Sequence, residues 1–130
     1  MDDRPDDRPT ILYVEDDDDT RPVMKQLLNR SGYHVILSIN EEDALERSGD
    51  GCVAADLILI DFGWPTADVL AAGRHIREHA VMRDDVPIVV IAFKYEAEMD
   101  GQDINVGGND WVTYLEDGEQ LKRLLARLLI

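Results

Sequence analysis

The sequence predicts an α/β fold: a doubly wound, five-stranded parallel sheet with helices on both faces. Three observations predict it. Ile11–Val14, Leu57–Ile60 and Ile88–Phe93 are apolar runs without a polar interruption, the composition of strands buried on both faces. Segments with helical spacing alternate with them through short connections. Two of the runs end abruptly on acids, the first on the five consecutive carboxylates Glu15 to Asp19 and the second on Asp61.

Taken in order, Asp2 to Pro9 is a DDRP-DDRP tandem repeat, so residues 1–9 are expected to form a disordered acidic tail and 10–130 the single domain. Thr10–Val14 is the first strand. Thr20 to Arg30 carries Val23, Met24, Leu27 and Leu28 at helical spacing, and Pro22 is tolerated because it falls in the first turn. Ser31-Gly32 ends that helix. Tyr33–Leu37 reads as a strand, and Asn40 with Asp43 resembles a capped start for a helix over Glu41–Arg47. Ala55–Asp61 is the third strand, followed by a turn at FGWP. Asp68 is expected to cap a helix running from Val69 to about Ala80. Pro87 opens the fourth strand, which runs through Phe93. Between Tyr95 and Val106 the pattern is poor, with Asp100-Gly101 and Asp103 interrupting a short or frayed fourth helix. Asp110–Leu115 is the fifth strand. Asp117 with Gln120 then starts a leucine-rich fifth helix over Glu119–Ile130.

Composition excludes several classes of function. A chain of 130 residues with net charge −15 repels a phosphate backbone over most of its surface, so nucleic acid is not an expected partner. No segment is long and apolar enough to span a membrane. The single cysteine, Cys52, cannot form an internal disulfide, and no signal-like stretch opens the chain, which points to a cytoplasmic setting. A flavin phosphate needs amides and hydroxyls after the first strand, where this chain has acids.

In the flavodoxin-like strand order 2-1-3-4-5, ligands bind outside the carboxyl ends of strands 1 and 3. Those strands end in Glu15, Asp16 and Asp61, which would therefore meet in one concavity. Two unit charges about 4 Å apart repel by roughly 4 kcal/mol at an effective dielectric near 20, so such a cluster calls for a cation or for water.

With ILYVEDD near the start, DLILIDFGWP in the middle, the proline opening strand 4, and GGNDWVT before strand 5 ends, the chain resembles a response-regulator receiver domain of two-component signalling over residues 10–130. The resemblance implies that Asp61 is the phosphoacceptor and that Glu15, Asp16, Asp61 and the Gly63 carbonyl hold Mg²⁺. It implies a histidine kinase or phosphotransfer protein as the phosphodonor. No enzymatic turnover is implied beyond slow autophosphorylation and autodephosphorylation. Trp111 falls at the family's aromatic switch position. Two departures stand out: Ala92 replaces the strand-4 Ser or Thr that bonds the phosphoryl group, and Tyr114 replaces the strand-5 lysine, followed by Leu115 where the family has proline. Lys94 lies near the expected pocket rim as a substitute cation.

Two function classes follow. One is a phosphorelay receiver signalling through protein contacts; the alternative is a pseudo-receiver that binds its partner without phosphorylation. Glu15, Asp16 and Asp61 favour the first, Ala92 and Tyr114 the second. These 130 residues are expected to hold no effector domain, so unless they are part of a longer chain a downstream partner, or another copy in a homodimer, is expected on helix 4, strand 5 and helix 5; Lys122, Arg123 and Arg127 gather cations on helix 5. His75 and His79 stand one turn apart as metal ligands can, but without further ligands they read as surface residues. His34 carries no signal beyond packing.

Overall fold

The computed structural model describes residues 8–49, 55–61, 66–79, 85–92, 101–115 and 117–129. In chain order the elements are β1 (Thr10–Glu15), α1 (Thr20–Arg30), β2 (His34–Ser38), α2 (Glu41–Gly49), β3 (Leu57–Asp61) and α3 (Thr66–His79). Then follow β4 (Ile88–Ala92), β5 (Asp103–Gly107), β6 (Asp110–Tyr114) and α4 (Gly118–Leu128). One sheet holds all six strands in the order β2-β1-β3-β4-β6-β5, with every pair parallel except β5 and β6.

The doubly wound order is the expected one, with Asp110–Tyr114 in the fifth place. Because side chains alternate across a strand, each apolar run supplies two cores. Leu12, Val14, Ile58, Ile60, Ile88 and Val90 face Ala44 of α2 and Val69, Leu70 and Ile76 of α3. Ile11, Tyr13, Leu57, Leu59, Val89 and Ile91 face Leu28 of α1 and Leu121, Leu124 and Leu125 of α4. The expected caps hold at two starts: Asn40 Oδ1 accepts from the Asp43 N–H at 2.8 Å, and Asp117 Oδ1 accepts from the Gln120 N–H at 2.9 Å.

The structure corrects two expectations. The first concerns 95–106, read as a helix. Asp103–Gly107 is instead an antiparallel edge strand, so the sheet has six strands among the described residues and is not wholly parallel. The reason is local: β-branched Ile104 and Val106 suit a strand, and Gly107 and Gly108, with φ of 131° and 54°, turn the chain straight back into β6. A polar knot locks the hairpin down. The Thr113 hydroxyl, fully buried, donates to Asp103 Oδ1 at 2.7 Å, and the Gln120 amide of α4 donates to Asp103 at 3.0 Å and to Thr113 at 3.1 Å.

The second correction concerns α3, which begins at Thr66, so that Asp68 sits inside its first turn rather than capping it. There its charge still suits the positive end of the helix dipole. Residues 1–7 of the expected tail and the FGWP turn lie outside the described residues, as does all of 95–100.

Gly73 is the point where α3 lies closest to the sheet. A Cβ there would sit 2.9 Å from both Ile60 Cδ1 and Ile88 Cγ2. Ile60 can swing its terminal methyl away, but Cγ2 of Ile88 is fixed to a β-branched stem. Gly73→Ala should therefore destabilise by about 1–2 kcal/mol, overpacking outweighing the gain in helix propensity of up to ~1 kcal/mol. A urea midpoint at or above that of the native chain would show that α3 simply shifts outward.

Candidate functional site

Glu15 and Asp61 are the last residues of β1 and β3, and the parallel register sets them directly opposite one another. Both point to the α1/α4 face, as do Tyr13 and Leu59 two residues earlier, and both are buried, at 3% and 4% exposure. The apolar strands that carry them leave these acids nowhere to go. Asp16, one residue past the strand, is exposed at the rim, with Asp17, Asp18 and Asp19 beside it.

Hydrogen bonds fix Glu15 in place. The Tyr13 hydroxyl donates to Oε1 at 2.8 Å and the Asp17 N–H donates to Oε2 at 3.1 Å. Burial raises the Tyr13 hydroxyl well above the usual phenol range, and the bond to Glu15 adds to the shift, so it remains a neutral donor. Asp61 is pushed up to about 8, first by burial, then by its hydrogen bond to Glu15 and the charge of that group, and then by the charges of Asp16 and Asp17. Asp17 moves the other way, its carboxylate lowered chiefly by the Thr20 hydroxyl that donates to it.

Arg21 is a site residue that sequence reasoning missed. From the first turn of α1 its guanidinium donates to the Glu15 carbonyl at 2.8 Å and pairs with Asp18, so it ties the acidic loop back to the end of β1. Its position in the first turn of the helix after the acidic run was the available signal, since that turn lies beside the loop.

The other expected positions fall apart from the carboxylates. Ala92 ends β4 buried among the apolar residues that face α2 and α3, and offers no donor. Tyr114 pairs in register with Ala92 and packs on that same face, the one opposite Glu15 and Asp61. It does not stand in for the lysine. Trp111 lies on the α1/α4 face level with Val89, its ring covered by the Arg127 guanidinium at 5.1 Å and its Nε1–H directed at Asn109 Oδ1, 3.4 Å away. Gly63 and Lys94 lie outside the described residues.

The donor set suits a hard cation. Its side-chain donors are carboxylate oxygens, and two of these groups, Glu15 and Asp61, are buried opposite one another. Among the described residues no three His, Cys, Asp or Glu side chains close around one point. Mg²⁺ does not require that, because it keeps several waters and takes one or two carboxylates together with phosphoryl oxygens.

Topology and register together define a doubly wound module with carboxylates at the switch point of the sheet. The chain belongs to the response regulator receiver domain family, whose model matches residues 11–126. It is 29% identical over 119 residues to the uncharacterized transcriptional regulatory protein YrkP of Bacillus subtilis, covering 91% of this chain and 48% of that protein. It is 30% identical over 124 residues to the 3′,5′-cyclic-nucleotide phosphodiesterase regA of Dictyostelium discoideum, covering 92% of this chain and 15% of that one. The chain thus spans half or less of the length of these curated relatives.

Among solved structures, the receiver domain of the sensor histidine kinase PA1611 from Pseudomonas aeruginosa, described with a magnesium ion in its active-site cleft, superposes with a TM-score of 0.66 at 27% identity. That match covers 94% of this chain and 98% of that one. Vibrio cholerae CheY4 superposes with a TM-score of 0.67 at 19% identity, covering 94% and 99%, and shows the shared fold. Receiver domains are signalling modules rather than enzymes in the ordinary sense. No helix among the described residues is long and apolar enough to cross a membrane.

Proposed function

We propose that this chain is a phosphorelay receiver that accepts a phosphoryl group on Asp61, with Mg²⁺ held by Glu15, Asp16, Asp61 and the Gly63 carbonyl, and signals through protein contacts. The observation that carries this reading is the in-register pairing of buried Glu15 with buried Asp61 at the switch point. A structural role alone gives no reason to bury two facing acids. Bound there, the cation would offset the repulsion between these carboxylates and an incoming phosphoryl dianion. The chain's own part is positional. Tyr13 and Asp17 hold both oxygens of Glu15, and Arg21 holds the loop that carries Asp16.

In the transfer, an Asp61 carboxylate oxygen attacks phosphorus, the phosphorus–nitrogen bond of a phosphohistidine breaks, and the imidazole leaves with the bonding pair. Asp61 must be ionised to do this. The donor would be a histidine kinase or phosphotransfer protein in the cytoplasm, and the output partner would meet β6 and α4.

A second reading, a pseudo-receiver acting without phosphorylation, is favoured by Ala92 and by the packing of Tyr114 on the far face, which leave no phosphoryl-binding hydroxyl or lysine at those positions. Intact mass after incubation with a small-molecule phosphodonor and Mg²⁺ decides between them. A single phosphoryl adduct on the native chain, absent from Asp61→Asn, is the expected result. An unmodified native chain, or an adduct that persists in Asp61→Asn, would overturn the receiver reading.

A further inference from the structure

His75 and His79 occupy successive turns on the exposed side of α3, the spacing at which two imidazoles on one helix can grip a single metal ion. The fold supplies what the sequence lacked, a partner for them from another helix. Glu41, in the first turn of α2, places Oε2 2.7 Å from His75 Nδ1. A carboxylate only accepts, so Nδ1 carries the proton and His75 Nε2 is left as the lone-pair nitrogen of the neutral ring. Histidines that bind metals are commonly oriented in this way by a carboxylate on the other nitrogen. The His79 ring stands 6.0 Å from that of His75, centroid to centroid, at 65°.

The cations on α3 itself are engaged elsewhere. Both arginines of α3, Arg74 and Arg77, are drawn to Asp110. Asp43, two residues after Glu41, is committed through its carboxylate to the Ile39 N–H. The His75 and Glu41 side chains remain 57% and 37% exposed, so an ion can reach them from solvent. The net charge of −15 raises the local concentration of divalent cations.

We propose that His75 and His79 form a two-imidazole site for a divalent transition metal ion of the Zn²⁺ or Cu²⁺ class, with Glu41 as the positioning residue for His75. Water completes the coordination sphere, in keeping with the lack of a three-residue cage among the described residues. The site is chemically distinct from the carboxylate pocket: imidazole nitrogen selects Zn²⁺ and Cu²⁺, whereas carboxylate oxygen selects Mg²⁺. Both ligands lie on α3, and the Glu41 bond ties the occupied site to α2.

The test is calorimetric titration of the full chain with Zn²⁺, and separately with Cu²⁺, in the Glu15→Gln/Asp16→Asn/Asp61→Asn background, so that the carboxylates proposed to hold Mg²⁺ are absent. One saturable site per chain is expected, with Cu²⁺ bound more tightly than Zn²⁺. His75→Ala or His79→Ala should each weaken binding at least tenfold, and Glu41→Gln should weaken it by roughly tenfold. Nitrogen NMR of the imidazoles should show Zn²⁺ shifting Nε2 of His75 and leaving Nδ1 protonated. No saturable binding, or binding unchanged in both histidine variants, would overturn the site. An affinity unchanged in Glu41→Gln would overturn the positioning role. Because the pocket acids are removed from the outset, neither result bears on whether Asp61 is phosphorylated.

Discussion

Asp61→Asn is expected to raise the thermal midpoint of the metal-free chain at pH 8 by several degrees, and to raise it much less at pH 5. In the folded chain the Asp61 carboxyl is pushed from 3.8 to about 8, by burial first and then by Glu15. The unfolded chain loses that proton near the ordinary carboxylate value. Between the two the native state binds a proton that the unfolded state does not, so stability falls as pH rises. The contribution of this group is fully present below the unfolded value and is lost as pH climbs through about 8.

Asparagine keeps the shape of the side chain and cannot ionise. The gain from removing a buried, repelled carboxylate is on the order of a few kcal/mol at high pH, and exceeds the roughly 1 kcal/mol at stake in one altered hydrogen bond. The comparison is best kept above the isoelectric point near 4.3, where the chain stays charged and soluble. If Mg²⁺ is held as proposed, it should reverse the order, because a ligand that binds only the folded native chain stabilises it, whereas the variant lacks the Asp61 carboxylate. A variant less stable than native at pH 8 without metal would mean that Glu15 and Asp61 are not the repelling pair described.

The second large effect is at the opposite end of the sheet. Asp110→Ala is expected to destabilise the fold by roughly 3–5 kcal/mol, a large share of the 5–15 kcal/mol typical of a domain. Asp110 opens β6 and is 4% exposed. Arg74 Nε donates to its Oδ2 and Arg77 NH1 to its Oδ1, each at 2.8 Å. Arg77 also donates to the Val86 carbonyl at 3.0 Å, so this one carboxylate ties α3 to the starts of β4 and β6.

Removing the carboxylate strands two guanidiniums, and they are not equivalent. The Arg77 side chain is 16% exposed, whereas that of Arg74 is 44% exposed and can turn to water. Arg74→Ala should therefore cost no more than about 1 kcal/mol, and most of the loss in Asp110→Ala should disappear in a background that already carries Arg77→Met. Additive losses in that double variant would show that Asp110 acts through its place in β6 and not through the arginines.

The parts of the molecule that were legible in the chain are those set by local pattern. Uninterrupted apolar runs could only be strands covered on both faces, and parity along β1 and β3 placed Glu15 and Asp61 on one side once their strands were adjacent. The strand over Asp110–Tyr114 is legible in the sequence, whereas its partner Asp103–Gly107 is not, although Ile104 and Val106 alternate with polar residues ahead of Gly107-Gly108. Alternation over so short a span is weak evidence against the helix that a parallel fold would place there. What separates the alternatives is the contact of Asp103 with Thr113 and Gln120, 10 and 17 residues away.

The sequence by itself determined the doubly wound class, the two buried cores and the ends of the sheet strands where the acids lie, because period-two and helical spacing are properties of neighbouring residues. Tertiary structure alone decided which charges meet. Beyond the expected meeting of Glu15 with Asp61, it brought Arg21 over the acidic loop, turned Tyr114 to the far face, joined Arg74 and Arg77 to Asp110, and gave His75 its carboxylate in Glu41. The physical reason is reach. Apolar burial follows a pattern that neighbouring residues already state, but hydrogen bonds and ion pairs require atoms within about 3 Å in a fixed direction, and partners 34 or 46 residues apart in the chain acquire that geometry only when the packed elements bring them together.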